Sequence, residues 1–104
     1  MTMPESSRRK QIFLRDDYRC VYCDTVFPDH DLSLDHVQPR VKGGDHSDGN
    51  LVTCCKTCNT LKAGQAAWFF LASDEVRRKN FLKNAKAVWP RIKRAVEEEA
   101  RKKK

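Results

Sequence analysis

Apolar residues recur along this chain in several rhythms, each of which predicts a different element. Over residues 5–16 a polar run leads into Ile12, Phe13 and Leu14, which predicts a short helix capped by Ser6 or Ser7. Leu32-Ser-Leu-Asp-His36 alternates apolar and polar, as a strand does. A loop follows from Val37 to Gly49, punctuated by Pro39, Gly43-Gly44 and Asp48-Gly49, and then a second short strand, Asn50-Leu-Val-Thr53, antiparallel to the first if the loop doubles back. Cys55 to Lys62 reads as a knuckle running into a helix that ends near Gly64. From Ser73 the pattern is helical, with Ser73 as N-cap and Asp74 and Glu75 in the first turn. Leu82, Ala85, Val88/Trp89, Ile92 and Val96 recur at three- and four-residue spacing and predict one apolar face. Pro90 either kinks this helix or starts a second one. The aromatic residues Trp68, Phe69, Phe70 and Trp89 are expected to pack the C-terminal helix onto the rest, the alternative being docking on a partner or a second copy.

Composition sharpens this picture. With 104 residues, 34% charged and only 39% hydrophobic, the chain has the size of one small domain whose core needs much helix or a staple, and its five cysteines suggest the staple. The longest apolar run, Ala66 to Ala72, is seven residues, too short for a transmembrane span. Met1 to Lys10 holds no apolar stretch of signal-peptide kind, so the expectation is a cytoplasmic protein with reduced thiols and no membrane partner.

The net charge of +7 is unevenly placed. Residues 1–73 carry nine basic and nine acidic side chains, net zero, whereas residues 74–104 carry twelve and five, net +7. Val76 to Val96 has eight basic residues and no acidic one. On a continuous helix Lys79, Lys83, Lys86, Lys93 and Arg94 would fall on one side, away from the apolar face, which suits a polyanion. The alternative is a merely solvated face. The chain thus divides into a module over 1–73, with its motif core at 20–64, and a basic helical extension over 74–104 in the same domain.

Cys20-x2-Cys23, then 31 residues, then Cys55-x2-Cys58 offers four thiolates on two knuckles. Zinc takes four tetrahedral ligands at about 2.3 Å, and a complete thiolate set leaves no open position, so its work would be structural. The bland readings are a disulfide or independent thiol pairs. Cys54 would need a different spacing to replace Cys55 and is expected to be a small buried hydrophobe.

Between the knuckles lie Leu34-Asp35-His36-Val37-x-Pro39-Arg40-x-x-Gly43-Gly44 and Asn50-Leu51-Val52-Thr53, and the second knuckle continues as Cys58-Asn59-x-x-Lys62. This ordered set resembles the HNH (ββα-metal) endonucleases with flanking Cys-x-x-Cys pairs. The three naming positions are His36, Asn50 and Asn59, with thirteen and eight residues between them, and Asn stands at the third as in the HNN variant. The resemblance covers about residues 8–64. It implies a small zinc-stapled α+β module of ββα-metal type with an N-terminal helix and a basic C-terminal extension. It also implies a metal-dependent DNA endonuclease in which His36 is the general base, Asp35 and Asn59 bind a divalent ion, and Asn50 hydrogen-bonds across the loop. The cut would leave a 3′-hydroxyl and a 5′-phosphate, and one site cuts one strand, so double-strand cleavage would take two copies or sequential nicks.

The residue chemistry agrees. Phosphodiester hydrolysis needs an activated water and a cation to neutralise developing charge. Histidine takes a proton near neutral pH, while Asp and Asn oxygens form a sparse hard set suited to Mg²⁺ or Mn²⁺. Asn59 directly follows a zinc ligand, so the zinc would fix where it points. Lys62, three residues on, is a phosphate contact or transition-state stabiliser unless it is a solvated surface lysine, and Arg40 is a further candidate for the same work. His30 and His46 read as exposed loop histidines. Adjacent strand residues face opposite ways, so the strand must end or twist for Asp35 and His36 to serve one site. The competing reading is a zinc-knuckle nucleic-acid-binding module without catalysis.

Overall fold

A computed structural model describes residues 5–102. Helix α1 (Glu5–Arg15) buries Ile12 and Phe13, as its short apolar run requires. The cap assigned to Ser6 or Ser7 lies outside the described side chains. Asp17 and Tyr18 at φ 59° and 55° turn the chain back under the helix. Buried Asp16 then accepts the Thr53 amide at 3.0 Å, tying the end of α1 to the sheet.

The first cysteine knuckle leads through a single 3-10 turn, Asp29–Asp31, into β1 (Leu32–His36). Antiparallel β2 (Leu51–Cys55) pairs Leu32 with Cys55 and His36 with Leu51. The second strand runs two residues further than the sequence predicts, because Cys54 and Cys55 continue it, and all five of its residues are buried. Helix α2 (Lys56–Lys62) follows without a linker and completes a ββα unit.

The connecting loop is long but tightly held. Two 3-10 turns, Arg40–Lys42 and Asp48–Asn50, shape it. Two glycines allow close approach: a Cβ on Gly44 would lie 1.7 Å from the Gln38 carbonyl oxygen, and one on Gly49 would lie 2.2 Å from the Trp89 indole nitrogen. Arg8 of α1 binds Asp48 at 2.8 Å and the His46 carbonyl. From the other side the Trp89 backbone N–H donates to the Gly49 carbonyl at 3.1 Å.

The apolar run at 66–72 forms a short helix, α3 (Ala67–Ala72), which the periodicity of so brief a stretch could not specify. The C-terminal part is two helices, α4 (Glu75–Asn84) and α5 (Pro90–Lys102), so Pro90 opens a helix rather than kinking one. Asp74, not Ser73, caps α4 by accepting the Arg77 amide at 3.0 Å. α5 lies along α3, burying Ile92 and Val96, while Trp68, Phe70 and Trp89 pack on the core and Phe69 stays half exposed. Among the described residues no helix is long and apolar enough to cross a membrane.

Candidate metal centre and catalytic pocket

The two knuckles meet. The Sγ atoms of Cys20, Cys23, Cys55 and Cys58 all lie within 4.8 Å of one another. A tetrahedron with metal–sulfur distances of about 2.3 Å has sulfur–sulfur edges of about 3.8 Å, and Cys23 Sγ lies 3.8 Å from Cys55 Sγ. No disulfide is present among the five cysteines, and the donor set fits a metal such as zinc. Local structure explains the placement: Cys55 closes β2, caps α2 and accepts the Cys58 amide at 3.4 Å, so strand end and helix start deliver two thiols together. Cys54 is buried and is not one of the four clustered thiols; its own thiol donates to the Cys55 carbonyl at 3.3 Å. Arg77 of α4 donates its Nε–H to Cys58 Sγ at 3.5 Å, a contact with no signature in the cysteine spacing.

Beside this cluster, β1, the following loop and α2 enclose an open pocket of about 250 Å³ lined by Asp35, His36, Arg40, Asn59 and Lys62 among others. Because β1 stops at His36, the neighbours Asp35 and His36 both reach it, which meets the geometric difficulty raised by strand alternation.

Asp35 is 6% exposed and both of its oxygens are engaged. Oδ2 accepts the Tyr22 hydroxyl at 2.7 Å and Oδ1 accepts Lys62 Nζ at 3.0 Å. Burial pushes its carboxyl above the ordinary value, against the opposing pull of the Lys62 charge and the Tyr22 hydrogen bond. Lys62, 1% exposed, also donates to the His36 carbonyl at 3.1 Å. It is therefore not a solvated surface lysine: its ammonium is ion-paired with Asp35 at the wall of the pocket. A carboxylate oxygen has two lone pairs, so each Asp35 oxygen retains one acceptor site.

His36 is half-buried, its Nε2 3.2 Å from His46 Nδ1. Burial, then the His46 ring and Arg40, hold its imidazole below its ordinary value, so it is neutral and able to take a proton near pH 7. His46 is thus not the exposed loop histidine expected: the folding of the 37–50 loop carries it onto His36, a proximity that ten residues of separation do not reveal. His30 does sit exposed, beside Asp31.

Asn50 is fully buried and bridges the loop, its Oδ1 accepting the Gln38 amide at 2.8 Å while Nδ2 donates to the Gln38 and Asp45 carbonyls at 2.9 and 2.8 Å. Asn59 donates Nδ2–H to Ser33 Oγ at 3.2 Å, which leaves its carbonyl oxygen as an acceptor in the pocket. One carboxylate and one amide oxygen on an open pocket fit a hard divalent ion that keeps several waters. Arg40 is exposed at the pocket wall.

The single basic stripe is the clearest correction. The helix breaks between Asn84 and Pro90, so the five cations do not share one helical face. Lys79 pairs with Glu75 at 3.1 Å and Lys83 with Asp24 of the first knuckle at 3.0 Å. Lys86 and Arg94 are exposed or partly exposed, as is Lys93.

Residues 20–67 match the family model described as HNH endonuclease. Among solved structures, the chain is similar to the Type II-C Cas9 enzyme from Actinomyces naeslundii, with 24% identity, TM-score 0.66 and coverage of 89% of this chain but 11% of that one. It is likewise similar to Streptococcus thermophilus Cas9 in complex with AGGA PAM, with 17% identity, TM-score 0.61 and coverage of 88% and 10%. These likenesses concern the fold, and the chain spans about a tenth of the length of either protein. No curated protein matches the chain.

Proposed function

We propose that this protein, whose residues 20–67 match the HNH endonuclease family model, is a metal-dependent DNA endonuclease with His36 as general base. The observation that carries this reading is the convergence of Asp35, His36 and Asn59 on one pocket, next to a four-thiolate cluster that fixes the start of the helix bearing Asn59. The neutral imidazole of His36 takes a proton from the attacking water, and the contact of its Nε2 with His46 holds the ring in place. Asn50 keeps the loop that follows the base in register. Asp35 and Asn59 would hold a divalent ion such as Mg²⁺ or Mn²⁺, which when bound supplies charge neutralisation at the phosphate and the leaving 3′-oxygen. Arg40 meets phosphate at the pocket wall, and Lys86, Lys93 and Arg94 contact the DNA backbone further out. Hydrolysis leaves a 3′-hydroxyl and a 5′-phosphate, one strand per site, so cutting both strands takes a second copy or a second event.

Supercoiled-plasmid nicking with added Mg²⁺ or Mn²⁺ tests this. His36→Ala should lose roughly 10²-fold or more in rate, the usual contribution of a general base. Equal nicking by both chains, or none by either across metals, would remove the catalytic assignment. The second reading, nucleic-acid binding without cleavage, draws on the engagement of both Asp35 oxygens by protein donors, and DNA binding without nicking by wild type would favour it.

A further inference from the structure

Tyr22 lies inside the first cysteine knuckle, between two thiolate ligands, yet its side chain belongs to the neighbouring pocket. It is fully buried and its hydroxyl donates to Asp35 Oδ2 at 2.7 Å. The ring cannot easily choose another rotamer. Phe81 of α4 stacks on one face, with centroids 5.6 Å apart at 12°, and Phe70 of α3 meets it edge-on at 5.5 Å and 78°. Its backbone carbonyl accepts Asn80 Nδ2 of α4 at 2.9 Å. The second donor, Lys62 Nζ, takes the other Asp35 oxygen. Two donors on two different oxygens fix both the position and the plane of a carboxylate, which one donor alone would leave free to rotate.

We propose that Tyr22 is a positioning residue that presents the Asp35 carboxylate to a divalent cation, so that the cysteine knuckle and helix α4 together set the cation affinity of the pocket. This rests on the reading of that pocket as a cation site. A groove shaped by α4 through Tyr22 also gives the C-terminal segment a role inside the site, distinct from its charge.

The test is Mn²⁺ titration of the zinc-loaded full chain, followed by the electron paramagnetic resonance signal of free Mn²⁺, for wild type, Asp35→Asn and Tyr22→Phe. Wild type should bind one Mn²⁺ that Asp35→Asn loses. Tyr22→Phe, which keeps the stacked ring, should retain its zinc and bind Mn²⁺ roughly tenfold or more weakly. A purely structural tyrosine would lower stability without moving this affinity, so wild-type affinity in Tyr22→Phe overturns the proposal while leaving the pocket reading intact. Absence of Mn²⁺ binding by wild type, or its persistence in Asp35→Asn, overturns the pocket reading and the proposal with it. If Tyr22→Phe fails to hold zinc, Phe81→Leu decides: it keeps the hydroxyl but loosens the ring, and undiminished Mn²⁺ affinity there overturns the proposal.

Discussion

The cysteine cluster and the Asp35 pocket share α2 and lie side by side, but they are built on opposite plans. The cluster has a full set of four soft donors, three of them buried, with no position left for a substrate. The pocket has few, hard donors, is open to solvent, and already contains a positive charge, the Lys62 ammonium against Asp35. The first arrangement is a joint that holds the chain together. The second is an open groove, and under the function proposed above it can be left sparse because the joint beside it supplies the rigidity that a thin core does not.

This contrast can be broken experimentally, most severely at the joint. Structural zinc in small domains is worth about 10–16 kcal/mol of apparent binding free energy, more than a domain of this size has to spare. Cys58→Ser should therefore lose zinc and helical circular dichroism together; a folded, metal-free variant would show that the cluster is dispensable. The next effect lies in the pocket. Removing one partner of a buried ion pair costs about 3–5 kcal/mol, so Lys62→Met should lower the unfolding temperature sharply. Because the bare Asp35 carboxylate then seeks a cation, added Mn²⁺ should restore more stability to Lys62→Met than to wild type. An equal Mn²⁺ response in the two chains would mean that Lys62 and the ion do not share the same carboxylate.

The smallest effect is expected on the outer surface. Every cation that neutralises a DNA phosphate steepens the dependence of log affinity on log salt by about 0.9, so its removal should flatten that dependence by the same amount. Replacing Lys86, Lys93 and Arg94 by Ala should thus reduce the salt slope, whereas Lys79→Ala, whose ammonium is paired with Glu75, should leave it nearly unchanged. Identical slopes for the two variants would remove the distinction between paired and unpaired cations of the extension.

The joint was almost fully legible in the sequence, because two Cys-x2-Cys units state both ligand identity and local turn geometry. The first strand followed from alternation, and the antiparallel sense, expected only if the loop doubled back, is the one observed. The pocket was only partly legible. Asp35, His36 and Asn59 carry the motif, but nothing in the sequence singles out Tyr22 within its knuckle, and His46 reads as a loop residue. Their roles arise from contacts across 13 and 10 positions that no local rhythm encodes. The C-terminal segment was legible as basic and helical, but charge counted along a line shows neither where the helix breaks nor which cations meet a carboxylate. Lys83 and Asn84 both bind Asp24, and Arg77 reaches Cys58, so α4 braces the first knuckle and the cluster. A chain cut after Ser73 would lose that brace, the Phe81 face under Tyr22 and the α5 cover of α3.

The direct passage from β2 into α2 has a consequence for sequence drift. Cys55 ends the strand, caps the helix and offers a thiol, and Asn59 stands four residues later. One residue inserted between them would turn the amide by about 100° around the helix axis, away from the groove, and shift Cys58 at the same stroke. This stretch therefore has a fixed length as well as a fixed composition: a change of length there would disturb the strand end, the cysteine cluster and the pocket together.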